Sequence, residues 1–352
     1  MDFTPEPSQQ AVADVVNSIL ERENSWEALV SGGVTALGLP ERLGGDGVGL
    51  AEIATALTEI GRHATLSPAL ATLGLGLLPL LDLATERQQD RFLDGVGKGL
   101  ILTAALNEPG ASLSDRPAVT LDGGRLTGTK VAVPYARQAN WMVVSTDGGV
   151  VVVSPDADGV RLIATPTSTG TEEYAVEFSD VVVEPGAILE GATARRVNQL
   201  ATAAIGAYAA GLMAGAVRLT ADYVTQRHQF GRPLATFQTV AAQLAEVYIA
   251  SRTLGLASSS TIWRLSAGLD ADEDLDILGY WLTSQVPPAM QTCHHLHGGM
   301  GMDVTYPMHR YYSSIKDLTR LLGGPAHRLD LVAVRRHDSS GAESRGAQCT
   351  SN

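Results

Sequence analysis

Residues 227–238 read Arg-His-Gln-Phe-Gly-Arg-Pro-Leu-Ala-Thr-Phe-Gln and concentrate what this chain offers for holding an anion. Arg227 and Arg232, with Gly231 and Pro233, interrupt a long helical pattern, so the spacing predicts a turn that joins two helices and carries both guanidiniums. A guanidinium presents a planar fork of donors that matches paired oxygens on a phosphate or carboxylate. Many inter-helix turns carry arginines that are only solvated, so the turn alone does not decide between the two.

A second cluster follows at Cys293, His294, His295 and His297, ahead of Gly298-Gly299-Met300-Gly301. His294 and His297 share a helix face, a spacing used by zinc sites, but no second group of ligands accompanies them and no metal is expected. The glycines serve either as a helix C-cap or as a place where backbone approaches a ligand. No glycine pattern of the Rossmann or P-loop type stands at a strand-to-helix junction, and no nucleophile elbow is present. Cys293 and Cys349 cannot form a disulfide framework, which fits a reducing compartment.

The elements that position these residues come from the hydrophobic period. With 352 residues, 45% apolar and 18% charged, the chain can bury a large core in two or three domains, and so little charge predicts subunit interfaces. A net charge of −13 excludes nucleic acid or an anionic membrane as the main partner. The acidic start is no signal peptide, and the uncharged run at 66–81 is too short to span a bilayer, so a cytoplasmic protein is expected. Helical pattern covers residues 8 to about 100, with stripes at Val12, Val15, Val16, Ile19 and Leu20 and at Leu50, Ile53, Leu57 and Ile60. Run 66–81 fits a buried pair of helices. From 120 to 183, β-branched runs alternate with turn signals and predict a small antiparallel β-domain. Helical pattern returns from 193 to 336, with a stripe at Phe237, Val240, Leu244, Val247 and Leu254, and residues 337–352 carry no apolar period, so that tail is expected to be disordered. The expected α+β division is 1–100 helical, 101–190 β, 191–336 a four-helix bundle and 337–352 tail.

The order Arg-x-Gln-Phe-Gly-x-Pro-Leu-x-x-Phe-Gln and, about 70 residues on, His-Gly-Gly-Met-Gly before Tyr306-Pro307, resembles the acyl-CoA dehydrogenase family over residues 8–336. That resemblance implies the family's fold of helical, β and helical domains, and FAD shared across a subunit boundary. It assigns Arg227, Gln229, Phe230, Gln238, His295, Gly298 and Gly299 to the pyrophosphate and adenosine of a flavin housed mainly in a neighbouring chain. His295 stands where the family usually has glutamine.

Other family positions depart from the pattern. The stretch usually read as Thr-Glu-Pro-x-x-Gly-Ser-Asp is Asn107-Glu108-Pro109-Gly110-Ala111-Ser112-Leu113-Ser114-Asp115, one residue longer. Ala132-Val133-Pro134 replaces the Trp-Ile-Thr that packs on the flavin ring, and proline has neither hydroxyl nor amide hydrogen to offer. Leu322 occupies the place of the glutamate that removes the α-proton, and a one-residue slip would put Gly323 there. Ala201 and Thr202 match the alternative position of the base on an earlier helix. None of these is a base.

One half of a flavin site is therefore kept and the other lost. The resemblance is to the degenerate, non-catalytic subunit of actinobacterial heteromeric steroid-CoA dehydrogenases, which implies a catalytic partner chain in an α2β2 heteromer, an acyl-CoA substrate such as a steroid side-chain thioester, and electron-transfer flavoprotein as acceptor. Two other readings stay open. One is a homo-oligomeric dehydrogenase whose base has moved to Asp303 or His327, with Glu246 and Asp222 as weaker helix candidates. The other is a flavin-free CoA-binding or scaffold protein. Arg310, Lys316 and Arg320 are expected on a solvated face.

Overall fold

The computed structural model describes residues 4–335. Residues 1–3 and the tail expected at 337–352 lie outside them. α1 (Pro7–Arg22) begins on a proline at its first turn and a capping box between Glu6 and Gln9. α2 (Trp26–Ser31) is capped by Ser25, whose hydroxyl accepts the amide of Ala28. α3 (Leu50–Arg62) buries Ile53, Leu57 and Ile60, as its stripe predicts, and Val15 is the one member of the α1 stripe that faces out.

Run 66–81 is not a pair of helices. A π-helix (Leu70–Leu77) passes directly into α4 (Leu78–Leu83). Gly74 and Gly76 mark close packing rather than a break, because a Cβ on them would lie 2.7 Å from Ala204 and 2.3 Å from Leu102. α5 (Glu86–Leu93) closes the helical region behind a second capping box, Thr85 with Gln88.

Eight strands follow: β1 (Leu102–Ala105), β2 (Thr120–Asp122), β3 (Arg125–Pro134), β4 (Trp141–Thr146), β5 (Gly149–Val153), β6 (Val160–Thr165), β7 (Glu173–Val182) and β8 (Ile188–Leu189). They form two four-stranded sheets, ordered β1-β4-β5-β8 and β2-β3-β7-β6. All pairings are antiparallel except one: β1 runs parallel to β4, with Leu102 opposite Trp141. The long connection between them, which carries β2 and β3 of the other sheet, supplies the crossover that a parallel pair requires. Lys130 on β3 is fully buried, and its Nζ donates to Glu108, to Ser145 and to the carbonyl of Leu106.

α6 (Ala194–Gln226) is the axle of the C-terminal half. It is long and apolar enough to cross a membrane, but 89% of its apolar window is buried inside the protein. Alanine and glycine dominate its buried face so that α3 can approach to backbone distance, and a Cβ on Gly211 would lie 1.9 Å from the carbonyl oxygen of Thr58. α7 (Gln238–Ser266), α8 (Asp272–Ser284), α9 (Val286–His297) and α10 (Met308–Leu321) pack around it, and a last helix, α11, spans residues 324–335. The expected α7 stripe is only partly core. Val247 and Leu254 are buried, but Phe237, Val240 and Leu244 are half-buried, because among the described residues α7 has neighbours on one side only.

Candidate functional site

The sequence predicts a turn at 227–238, and its geometry is specific. α6 stops at Gln226, Arg227 takes an extended conformation, and its carbonyl accepts the amide of Leu234 at 2.8 Å. His228–Gln229 (β9) pairs antiparallel with Arg232–Pro233 (β10), leaving Phe230 and Gly231 as a two-residue turn with φ of 52° and 81°. Two left-handed residues make the turn whose twist suits a hairpin, although the region is costly for a side chain as bulky as phenylalanine. Phe230 is 91% exposed, with its ring edge toward Phe237 at 6.2 Å. The Arg232 guanidinium sits 4.0 Å over the Phe237 ring, a cation–π contact that stiffens the hairpin's base. Arg227 and Gln238 are exposed, and the Arg227 side chain has no partner among the described residues.

At the same end of the bundle α9 terminates at His297. That imidazole is buried, its Nδ1 lies 2.7 Å from the carbonyl of Cys293, and its ring stacks on Tyr223 at 4.7 Å. Tyr223 accepts the amide of Arg227, so the stack sets the hairpin against the glycine loop. Tyr306 closes the cluster at 5.2 Å from His297, an anchoring contact. Gly298 adopts φ 54° and ψ −134°, which only glycine holds without strain, and neither Gly298 nor Gly299 has an atom within 4 Å of where a Cβ would be. Both are exposed, as is His295, which lines a depression of about 490 Å³ with His294, Met302, His309 and Tyr312. His297 turns inward and His295 outward, so the four residues of the Cys/His cluster do not converge on one point.

The second half of the predicted site lies elsewhere, where α10 meets the β-sheets. Only about 100 Å³ is open there, between Leu66, Leu70 and Leu75 of the helical region, Ala132 and Pro134 of β3, and Leu318 and Leu321 of α10. Ligand pockets usually enclose about 300–1,000 Å³. Polar ties hold the crevice closed. Asp317 accepts the amides of Ser168 at 2.8 Å and Thr169 at 3.0 Å and the Thr169 hydroxyl at 2.9 Å. Arg320 is exposed, as the sequence suggests, and also donates to Glu173 at 2.6 Å. Asn107 donates to the carbonyl of Leu321 at 2.8 Å. Pro134 contributes only its carbonyl, to Thr103 at 2.6 Å, and burial pushes the neighbouring Tyr135 phenol up to about 12. Leu322 and Ala201 are completely buried and Thr202 nearly so.

Residues 5–99 match the model for the acyl-CoA dehydrogenase N-terminal domain and residues 193–335 that for the C-terminal domain. Acyl-CoA dehydrogenase FadE28 of Mycobacterium tuberculosis is 69% identical over 335 residues, covering 95% of this chain and 99% of its own. The chain belongs to the acyl-CoA dehydrogenase family. These are FAD-dependent oxidoreductases. Two solved heteromers of the family superpose closely. One is the ChsE4–ChsE5 complex from Mycobacterium tuberculosis, with TM-score 0.86 and 27% identity over 97% of this chain and 99% of the matched one. The other is the steroid ACAD Tcur3481–Tcur3483, with TM-score 0.85 and 29% identity over 95% and 98%.

The chain's two candidate half-sites differ in what they could hold. An unpartnered guanidinium, an exposed imidazole and two glycines with open space beside them suit a phosphate-bearing group. A crevice of about 100 Å³ walled by Ala132 and Pro134 does not suit an isoalloxazine ring. Candidate relocated bases fare no better. Asp303 is exposed and away from the crevice, and hydrogen bonds from the amide and hydroxyl of Thr305 hold its carboxyl below the usual range. His327 packs against Ser112, with Nε2 3.1 Å from that carbonyl, and burial lowers its pKa. Glu246 and Asp222 point to solvent. The acids that do line the crevice, Glu172, Glu173 and Asp317, are brought together from β7 and its approach and from α10, which no local motif marks, and each is engaged, Glu172 by the Tyr174 hydroxyl at 2.5 Å.

Proposed function

We propose that this chain is the non-catalytic subunit of a heteromeric acyl-CoA dehydrogenase and completes the FAD site of a catalytic partner chain. What carries the reading is the contrast between its two half-sites. Arg227, Gln229, Phe230 and Gln238 stand exposed on a stiff hairpin beside Gly298, Gly299 and His295, while the crevice that would take the chain's own flavin ring is closed and holds no free base. FAD, when bound, supplies the hydride acceptor for αβ-dehydrogenation. This chain's residues would bind and orient it: the Arg227 fork would hold pyrophosphate oxygens, the glycine loop would leave room for the cofactor beside the backbone, and Gln229, Phe230, Gln238 and His295 would complete the pyrophosphate and adenosine side. The proton from Cα goes to a carboxylate of the partner, since Leu322 and Ala201 cannot accept it.

An α2β2 assembly with two active sites fits this division, and the apolar face of α7, with Ile249 61% exposed, is a natural part of its interface. The heteromeric relatives, one of them described as a steroid ACAD, support a bulky acyl-CoA such as a steroid side-chain thioester as substrate. Electron-transfer flavoprotein as acceptor and a cytoplasmic location complete the reading.

Purification of the chain alone and co-expressed with its candidate catalytic partner, with flavin absorbance and solution mass recorded, tests it. One FAD per pair of unlike chains and none on the chain alone is the expected result. One FAD per chain in a homo-oligomer that oxidises an acyl-CoA overturns it.

A further inference from the structure

Eight glycines lie inside α3, the π-helix, α6, α7 and α8, and seven of them have an evident reason. In α3, the π-helix, α6 and α8, a Cβ built on each would come within 3.0 Å of another part of the chain. Gly255, in the middle of α7, is the exception: nothing lies within 4 Å of its Cβ position. A glycine inside a helix costs roughly 1 kcal/mol relative to alanine. Among the described residues nothing offsets that cost, whereas an outside backbone pressed against α7 would.

Gly255 lines a groove of about 1200 Å³ between α3 and α7, floored by α6 and closed at one end by α1. Ser258, Ser259 and Ser266 continue the small-residue wall along α7, opposite Ala51, Thr55 and Thr58 of α3. From Gly255 to Ser266 the wall runs roughly 17 Å at the α-helical rise, room for about three turns of a third helix lying between two others. Trp263, 41% exposed, and Ile262 form the apolar part of the lip, continuous with the exposed face of α7. Charge defines the occupant further. Glu59 is paired with Arg62 and Asp82 with Arg196, while Glu6, in the α1 capping box, and Glu52, which accepts the Ser8 hydroxyl at 2.9 Å, line the groove without a cation partner.

We propose that the α3/α7 groove is a docking site for a basic amphipathic helix of the catalytic partner chain, whose backbone crosses α7 at Gly255. This rests on the heteromer reading above and adds to it a contact remote from the flavin hairpin. A second copy of this chain brings net charge −13 to an acidic groove and is the poorer occupant.

The test uses the co-expressed heteromer. Gly255→Trp projects an indole from a Cβ position with nothing within 4 Å, so it should weaken heteromer association at least tenfold while the circular dichroism and thermal transition of the chain stay those of wild type. Glu52→Lys should weaken it less, and high salt should weaken the wild-type complex. Hydrogen exchange at 51–62 and 255–266 should slow on assembly. If Gly255→Trp does not yield folded chain, Glu52→Lys and the exchange measurement decide alone. A heteromer with normal affinity and unchanged groove exchange overturns the docking site but leaves the shared-FAD reading intact, because Arg227→Ala tests that separately. Groove protection that appears in the chain alone, through self-association or lost on deleting residues 336–352, also overturns it. A wild-type chain that forms no heteromer overturns both.

Discussion

Replacing Arg227 with alanine is the perturbation that separates binding from folding most cleanly. Its backbone amide and carbonyl hold the hairpin, and alanine keeps both bonds, to Tyr223 and Leu234. The side chain is exposed and without a partner among the described residues, so its loss should move stability by no more than about 0.5 kcal/mol. Toward FAD the change is different. Hydrogen bonds to charged groups contribute about 1.5–3 kcal/mol, and each 1.4 kcal/mol is about tenfold, so the affinity of the heteromer for FAD should fall roughly ten- to hundredfold. Lysine at 227 keeps the charge and loses the fork, and should fall between the two. The assay is fluorescence titration of deflavinated heteromer with FAD, beside thermal denaturation and solution mass of the same samples. Unchanged FAD affinity in a correctly assembled Arg227→Ala heteromer would refute the assignment. A loss of affinity accompanied by a collapsed thermal transition would show that the residue acts through the fold.

Glu108→Ala removes the acceptor of Lys130, Ala118 and Val119 and strands a fully buried ammonium, so unfolding free energy should drop by about 3–5 kcal/mol in denaturant titration. Burial opposes the Glu108 carboxylate, but those hydrogen bonds outweigh it and hold its pKa below the usual range. Its contribution is therefore complete above the unfolded-state value of about 4.3 and is lost as pH falls through the lower folded value, and Glu108→Gln should flatten that acid limb. Asp317→Ala cuts three bonds to Ser168 and Thr169, and hydrogen exchange at 166–171 should speed up while FAD binding at the remote hairpin is unchanged. Leu322→Glu restores the family's residue type at a fully buried position, yet the chain alone should show no acyl-CoA oxidation, because the wall of Ala132 and Pro134 and the closed crevice remain. Measurable turnover by that variant without a partner would favour a homo-oligomeric enzyme.

Local signals made much of the molecule legible. Period marked the helices from α1 to α3 and the return of helix at α6, and turn residues marked the strands. Gly231, Pro233 and the two arginines marked the hairpin. Where the sequence misled, a glycine or an apolar stripe had more than one use. Run 66–81 read as a pair of helices and is a π-helix continuing into α4 with Gly74 and Gly76 in close packing, and Phe237, Val240 and Leu244 read as core although the described residues offer them too few neighbours to bury them. The parallel pairing of β1 with β4 has no local signature, because it depends on a connection that crosses between sheets.

For the site, residue types settled what is chemically absent. Leucine and alanine side chains cannot act as a base and proline has no amide hydrogen in any fold, so once the resemblance places Leu322 and Ala201 at the base positions, the lack of a base there follows from residue type. Geometry decided the rest. The Tyr223–His297 stack that sets the two exposed motifs side by side, and the Glu173–Arg320 and Asp317–Thr169 ties that shut the crevice, join residues 74 to 148 positions apart. Contacts of that separation are set by how helices and sheets pack, and no window of sequence contains both partners.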